Sequence, residues 1–330
     1  MSAGHWPESA LRVWSITTGE VGSRHQAAGL AAELCPDAEE KTVAVNRLWA
    51  LVPPSIFSLS LAGITGLEGR LAPPWPDVLI SCGRRAGLAA LAIRRRNRAA
   101  MICVHIQKPP APGAFDLVVA MPHDRAQGAE VLSIDTAMHG VRPETLAQVA
   151  AGGDPRFVGL PRPWRGVLVG GSTRRNRFTG ADAERLIAQL DAWQTQSRGS
   201  LLITPSRRSS SEAIAVLQAR YAGSPCAFLW DGAAPNPYLP ILALADELVV
   251  TSDSISMISE ALATQAPVWI FGLTSGRRHG RFVDHLLDKS LVARLGAAPP
   301  AHRPAGIDAT LTAAEAVRGL LTRRLGHLAP

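Results

Sequence analysis

Short apolar, β-branched runs alternate along the chain with stretches whose apolar residues recur at helical spacing. LRVWSIT over Leu11–Thr17 reads as a buried strand, and in His25–Leu34 the residues Ala28, Ala31 and Leu34 share one helical face. Further strands are predicted at Thr42–Val45, Val78–Cys82, Met101–Gln107, Phe115–Ala120 and Val131–Ile134, with a helix over Arg85–Arg94. Strands and helices in this order imply βαβ units and a parallel sheet covered on both faces.

The pattern breaks at Gly152–Gly166 (GGDPRFVGLPRPWRG), where glycine and proline dominate as in a connection between domains. A second α/β series follows. Its predicted strands are Gly166–Val169, Ser200–Thr204, Ala227–Trp230, Glu247–Thr251 and Pro267–Phe271. Its predicted helices are Thr179–Gln196, Ser210–Tyr221, Pro237–Asp246 and Ser254–Gln265, with a last helix over Thr310–Leu325. Thr179 with Asp182, and Ser209 with Glu212, have capping-box spacing. The fold class is therefore α/β, with two Rossmann-like, doubly wound domains: 1–155, a linker over 156–165, 166–310, and a C-terminal helix over 311–330 that packs back on the first domain.

Composition narrows the class. The 330 residues are 47% hydrophobic and 18% charged, which excludes a disordered chain and leaves room for two cores. The net charge is +7, and among 34 basic residues only Lys41, Lys108 and Lys289 are lysine. That balance points to an anionic partner, while a GC-rich genome explains the choice of arginine equally well. Cys35, Cys82, Cys103 and Cys226 lie far apart, without metal-ligand spacing, as in a reducing compartment. No secretory signal and no membrane-spanning run is read, so a cytoplasmic location is expected. Ser55–Leu67, apolar and flanked by Arg47 and Arg70, reads either as a core helix or as an interfacial helix on the anionic inner face of the cytoplasmic membrane. The run Arg94–Arg98 has no interleaved aromatics, and nucleic acid is not expected as a partner.

In open α/β sheets ligands bind beyond the carboxyl ends of the strands, so those loops hold the candidate residues. The first loop carries Gly19, Glu20, Gly22, His25 and Gln26. Its glycines permit a tight turn at a helix start, although packing alone also explains them. Arg84 follows Gly83 at a second strand-to-helix junction, where arginine opposes the helix dipole unless an anion is present. Gln107 ends a third strand. His123 and Asp124 follow a fourth, and form either an acid–base pair or an Asx turn. In the second half, Gly171, Ser172 and Thr173 precede three arginines. Ser206, Arg207 and Arg208 end the next strand, and Ser252, Asp253, Ser254, Ser256 and Met257 lead into a helix bearing Glu260. Small residues beside arginines at three successive strand ends suit a diphosphate, and Glu260 suits a ribose hydroxyl pair. Asn236 and Tyr238 could frame a nucleobase or simply cap a loop.

Gly19–Ala31 (GEVGSRHQAAGLA), Ser206–Arg208, Asn236–Asp246 (NPYLPILALAD) and Val249–Ala261 (VVTSDSISMISEA) together resemble the mitochondrial-fission "elongated mitochondria" family. That family is similar to GT-B glycosyltransferases, whose two Rossmann-like domains face a cleft. The resemblance implies a nucleotide-sugar donor such as a UDP-sugar on the C-terminal domain, lined by Gly171, Ser172, Ser206, Arg207, Ser254, Ser256 and Glu260. It implies an acceptor, of lipid or envelope-glycan type, on the N-terminal domain, with Gly19, Gly22 and His25 at the catalytic centre. No DxD motif occurs, so the expected enzyme is a metal-independent glycosyltransferase with no tightly bound cofactor. His25 or Glu20 would take the acceptor proton. A non-enzymatic membrane-associated protein and an NDP-sugar epimerase using Asp124 with His123 are the alternatives.

Overall fold

A computed structural model describes residues 11–46, 61, 63–66, 71–97, 101–111, 113–171, 178–206, 208–233, 235–273, 277–300 and 306–326. The chain divides into two compact units, Met1–Gly140 with Asp308–Pro330, and Val141–Ile307.

The first unit contains β1 (Val13–Thr17), α1 (Val21–Leu34), β2 (Glu39–Val45), β3 (Ile64–Gly66), β4 (Val78–Cys82), α2 (Arg84–Arg96), β5 (Ile102–Ile106), β6 (Leu117–Ala120) and β7 (Val131–Ser133). The sheet order is β3-β2-β1-β4-β5-β6-β7, and every neighbouring pair is parallel except β2 with β3. Every residue of β1, β4, β5 and β6 is buried, which is why these strands read as continuous apolar runs. Ile16, Leu79, Leu88, Ile93 and Val118 belong to the core of this unit.

The second unit contains α3 (Pro143–Gly152), β8 (Trp164–Val169), α4 (Gly180–Gln196), β9 (Ser200–Pro205), α5 (Ser211–Tyr221), β10 (Ala227–Leu229), α6 (Tyr238–Leu244), β11 (Glu247–Thr251), α7 (Ile255–Leu262), β12 (Val268–Phe271), α8 (Arg277–Asp288) and β13 (Ala293–Arg294). Its sheet is wholly parallel, in the order β10-β9-β8-β11-β12-β13. Within its own unit each sheet has the doubly wound order 3-2-1-4-5-6, so the winding reverses between β1 and β4 and again between β8 and β11.

The chain returns to the first unit as α9 (Ala309–Gly326), which packs on α1. Thr310 Oγ1 donates to the His139 carbonyl at 2.9 Å and accepts the His139 N–H at 3.0 Å. A Cβ on Gly29 of α1 would lie 2.7 Å from the same carbonyl oxygen, so only glycine lets α1 approach this backbone.

Several expectations are corrected. The stretch 156–165 is not a free linker; the division falls at Gly140. Arg156 binds the Asp154 carboxylate and the Pro235 carbonyl, and Trp164 already begins β8. The helix α3 was missed because none of its residues is buried and no apolar stripe marks it. Of Ser55–Leu67 only Leu61 and 63–66 are described, and Ile64–Gly66 form an edge strand rather than part of a helix. The N-cap of α5 is Ser210, which accepts the Ala213 N–H, while Ser209 serves elsewhere. The capping box expected at Thr179 and Asp182 forms.

His105 on β5 is fully buried, with Nδ1 2.9 Å from Ser81 Oγ and its ring 4.8 Å from that of Phe115. Burial lowers its pKa to about 4, so the fold holds it neutral. The unfolded chain takes up a proton near the ordinary histidine value, and stability therefore falls with acidification. Denaturant titrations should show about 2 kcal/mol lost between roughly pH 6.5 and pH 5, and a flat profile there would contradict a neutral buried imidazole.

Candidate functional site

The candidate residues stand after the carboxyl ends of strands, several of them the strands that flank each reversal point. In the first unit, the turn after β1 is made by Gly19, whose φ of +90° suits glycine, and which a Cβ would bring 3.5 Å from Thr42 Cγ2. Glu20 stands at the N-cap of α1 but caps nothing; its carboxylate accepts from Thr18 Oγ1 at 2.5 Å. Gly22 is the second helical residue and does not have a positive φ, so only Gly19 is needed for the turn. The helix begins at Val21, earlier than expected, and His25 is thereby moved from the first turn to the second, where it is exposed. Gln26 is buried and donates from Nε2 to the Gly22 carbonyl at 3.1 Å.

After β4, Gly83 with φ +88° is the N-cap of α2, and Arg84 and Arg85 open the helix, exposed. Gln107 follows β5 at φ +80°, an uncommon conformation for a residue with a side chain, and its N–H bonds the Val119 carbonyl. His123 and Asp124 lie in a 3-10 turn, Pro122–Asp124, after β6. Asp124 Oδ2 accepts the Met121 N–H at 3.2 Å, and Oδ1 is 3.6 Å from His123 Nε2, with both side chains almost wholly buried. One oxygen of the carboxylate thus closes the turn.

In the second unit, the loop after β8 is built by close backbone packing. A Cβ on Gly170 would strike the Asp253 carboxylate at 2.4 Å, and one on Gly171 would strike the Arg208 carbonyl carbon at 2.3 Å. The Gly170 N–H donates to Thr251 Oγ1 at 2.7 Å, and the Gly170 carbonyl accepts from Ser209 Oγ at 2.6 Å. Thr251 and Ser209 were missed as site residues; a hydroxyl closing a strand was the available signal for Thr251. Ser172, Thr173 and Arg207 lie outside the described residues. Ser206 Oγ accepts the Arg208 N–H at 3.2 Å, and the Arg208 side chain is exposed.

The loop after β11 is similarly self-tied. Ser252 Oγ accepts the Leu273 N–H at 2.8 Å, and Ser254 caps α7 by accepting from Met257 N at 3.4 Å. Each of these hydroxyls accepts a backbone N–H of the protein and keeps its own O–H as a donor. Ser256 and Met257 are half-buried in the first turn of α7. Asp253 is 3% exposed and neither carboxylate oxygen has a hydrogen-bond partner among the described residues.

A polar chain crosses this edge. Asn236 Oδ1 accepts from Thr204 Oγ1 at 3.1 Å, at the end of β9, and from Tyr238 N at 2.9 Å, at the start of α6. The Tyr238 hydroxyl in turn donates to Glu260 Oε2. Asn236 Oδ1 and the Tyr238 hydroxyl thus take part in the protein's own network. Burial raises the Glu260 pKa, opposed by the tyrosine hydrogen bond, and burial beside that carboxylate holds Tyr238 well above the ordinary phenol value. Among the described residues no three His, Cys, Asp or Glu side chains converge as a metal site requires.

Two Rossmann-like units in one chain define the GT-B fold class. Solved structures agree. Acinetobacter baumannii MurG is 14% identical with a TM-score of 0.50, the match covering 96% of this chain and 92% of that one. The UDP-GlcNAc 2-epimerase of Methanocaldococcus jannaschii is 10% identical with a TM-score of 0.50, covering 94% of this chain and 99% of that one. At such identity the likeness is one of fold.

Within this class the chain belongs to the mitochondrial fission ELM1 family, whose sequence profile matches residues 21–321. Mitochondrial fission protein ELM1 of Arabidopsis thaliana is 29% identical over 243 residues, 66% of this chain and 57% of that protein. The match thus spans little more than half of that relative's length. Among the described residues no helix is long and apolar enough to cross a membrane.

Gly171 offers a direct check on how the second-unit edge is packed. Gly171→Ala places a methyl against backbone that cannot swing aside, and should lower stability by about 1–3 kcal/mol in denaturant unfolding. A neutral substitution would show that the loop after β8 does not rest on Arg208.

Proposed function

We propose that the chain is a metal-independent glycosyltransferase of the GT-B class. In this reading it takes a nucleotide-diphosphate sugar on the second unit and a lipid or envelope-glycan acceptor on the first. The observation that carries the donor half is Glu260. It projects from α7, which starts at the β8/β11 reversal, and Tyr238 engages only one of its carboxylate oxygens. The other oxygen suits a ribose hydroxyl, because a carboxylate accepts several hydrogen bonds. The first-turn N–H groups of Ile255 and Ser256 have no acceptor among the described residues, and Arg208 is exposed in the β9 loop. Such groups stabilise the charge that develops as a nucleoside diphosphate leaves.

Within the same proposal the acceptor proton goes to exposed His25 or Glu20, beside the first reversal point. The epimerase alternative needs acid and base groups on opposite faces of a sugar. Its nominated pair, His123 and Asp124, is turned into a 3-10 turn, which favours transfer. The membrane-associated alternative rested on Ser55–Leu67, most of which lies outside the described residues.

Calorimetric titration with UDP, GDP and dTDP tests the donor half. At least one should bind with a millimolar or tighter Kd, and Glu260→Gln should weaken it about tenfold while leaving pyrophosphate binding unchanged. Because burial raises the Glu260 pKa, nucleotide affinity should begin to fall on acidification above the ordinary carboxylate range. Folded protein that binds none of the three nucleotides would overturn the reading.

A further inference from the structure

The two units treat their helix starts differently. In the second unit α4, α5 and α7 are each capped by their own hydroxyl, from Thr179, Ser210 and Ser254. In the first unit neither α1 nor α2, the helices that follow β1 and β4, has a side-chain cap. Neither has an acidic residue in its first turn. The N–H groups of Val21, Gly22 and Ser23, and of Arg84, Arg85 and Ala86, have no acceptor among the described residues. A helix start left open in this way concentrates partial positive charge.

These two starts lie side by side: a Cβ on Gly83 would come 4.0 Å from Ser23 Oγ. Arg84 and Arg85 add two exposed cations at the N-terminus of α2, where cations are unfavourable without a counter-charge. Arg24 is already paired with Glu40 at 2.6 Å, and the Glu20 carboxylate is bonded to Thr18 Oγ1. Among the described residues nothing lies within 4 Å of a Cβ built on Gly22, in the first turn of α1.

Gln26 is the independent observation. Its side chain runs back along α1 toward the helix start and is fixed there by the bond from Nε2 to the Gly22 carbonyl. Its Oε1, in a residue only 7% exposed, has no donor. A buried amide oxygen without a partner is costly, and a donor supplied by a ligand removes that cost.

We propose that the paired starts of α1 and α2 form a binding site for a small phosphorylated ligand that also carries a hydroxyl or amino group. The phosphate lies against the free N–H groups of both helices with Arg84 and Arg85, and the donor meets Gln26 Oε1. This deepens the acceptor half of the proposed function. It rests on that reading for the ligand's role but not for its chemistry, which the first unit supplies alone.

The test is amide-resolved NMR of the full chain with inorganic phosphate, glycerol 3-phosphate and glycerol as probes. Phosphate should shift the amides of Val21–Ser23 and Arg84–Ala86 saturably, and glycerol 3-phosphate should bind more tightly than phosphate. Arg84→Gln with Arg85→Gln should weaken both probes about tenfold, and should melt no lower than the parent, since those arginines oppose the dipole. Gln26→Leu should abolish the preference for glycerol 3-phosphate and retain phosphate binding. No shift at the six amides in tens of millimolar phosphate overturns the site, as does binding that survives the double arginine substitution unchanged. UDP added to the same sample is read separately at Ser254–Met257. Shifts there without phosphate shifts in the first unit defeat only this inference, and the reverse defeats only the donor reading.

Discussion

Parallel pairing on both sides of one central strand constrains everything else in each unit. A parallel strand is reached by a crossover connection, usually through a helix, and the crossover is right-handed. When the winding proceeds first to one side of β1 or β8 and then to the other, the two following helices diverge to opposite faces. The strand ends between them cannot be covered by either helix. Thr17, Gly19 and Gly83 in the first unit, and Gly170, Thr251 and Asp253 in the second, occupy such ends.

Backbone polar groups at these edges have to be satisfied from within or from without. The second unit does much of this internally: Thr251 and Ser209 hold Gly170, Ser252 holds Leu273, and Asn236 joins β9 to α6. Glu260 is likewise bonded within the unit, by Tyr238. The first unit instead leaves two helix starts uncapped. Arginine follows the same division. Arg165 is fully buried against Glu247 and over the Trp193 ring, and Arg94 and Arg324 share the Asp116 carboxylate. Arg84 and Arg85 have no such partner among the described residues, so the basic residues are not all used in the same way.

Much of the fold was legible in the chain. The strands Val78–Cys82 and Glu247–Thr251 match their predicted bounds because a strand buried on both faces must be apolar throughout. The Thr179 capping box was legible because its spacing is local. The exposed helix α3 and the edge strand β3 left no such mark, since neither needs a continuous apolar run. The candidate site was legible as a set of loops but not as a set of roles. Ser252, Ser254 and Asn236 stand in those loops, and each also accepts a backbone N–H of the protein, which no local pattern announces.

The sequence by itself determined the α/β class, the alternation of elements, and which loops stand at strand ends, because each depends on periodicities only a few residues long. Tertiary structure alone decided where the chain divides, since the return of α9 to His139 is set by contacts 171 residues apart. It also decided which loop residues remain available. Whether a hydroxyl, an amide or a guanidinium is spent depends on the partner that folding brings to it, as with Thr251 for Gly170 and Tyr238 for Glu260. The same packing left Gln26 Oε1 with none.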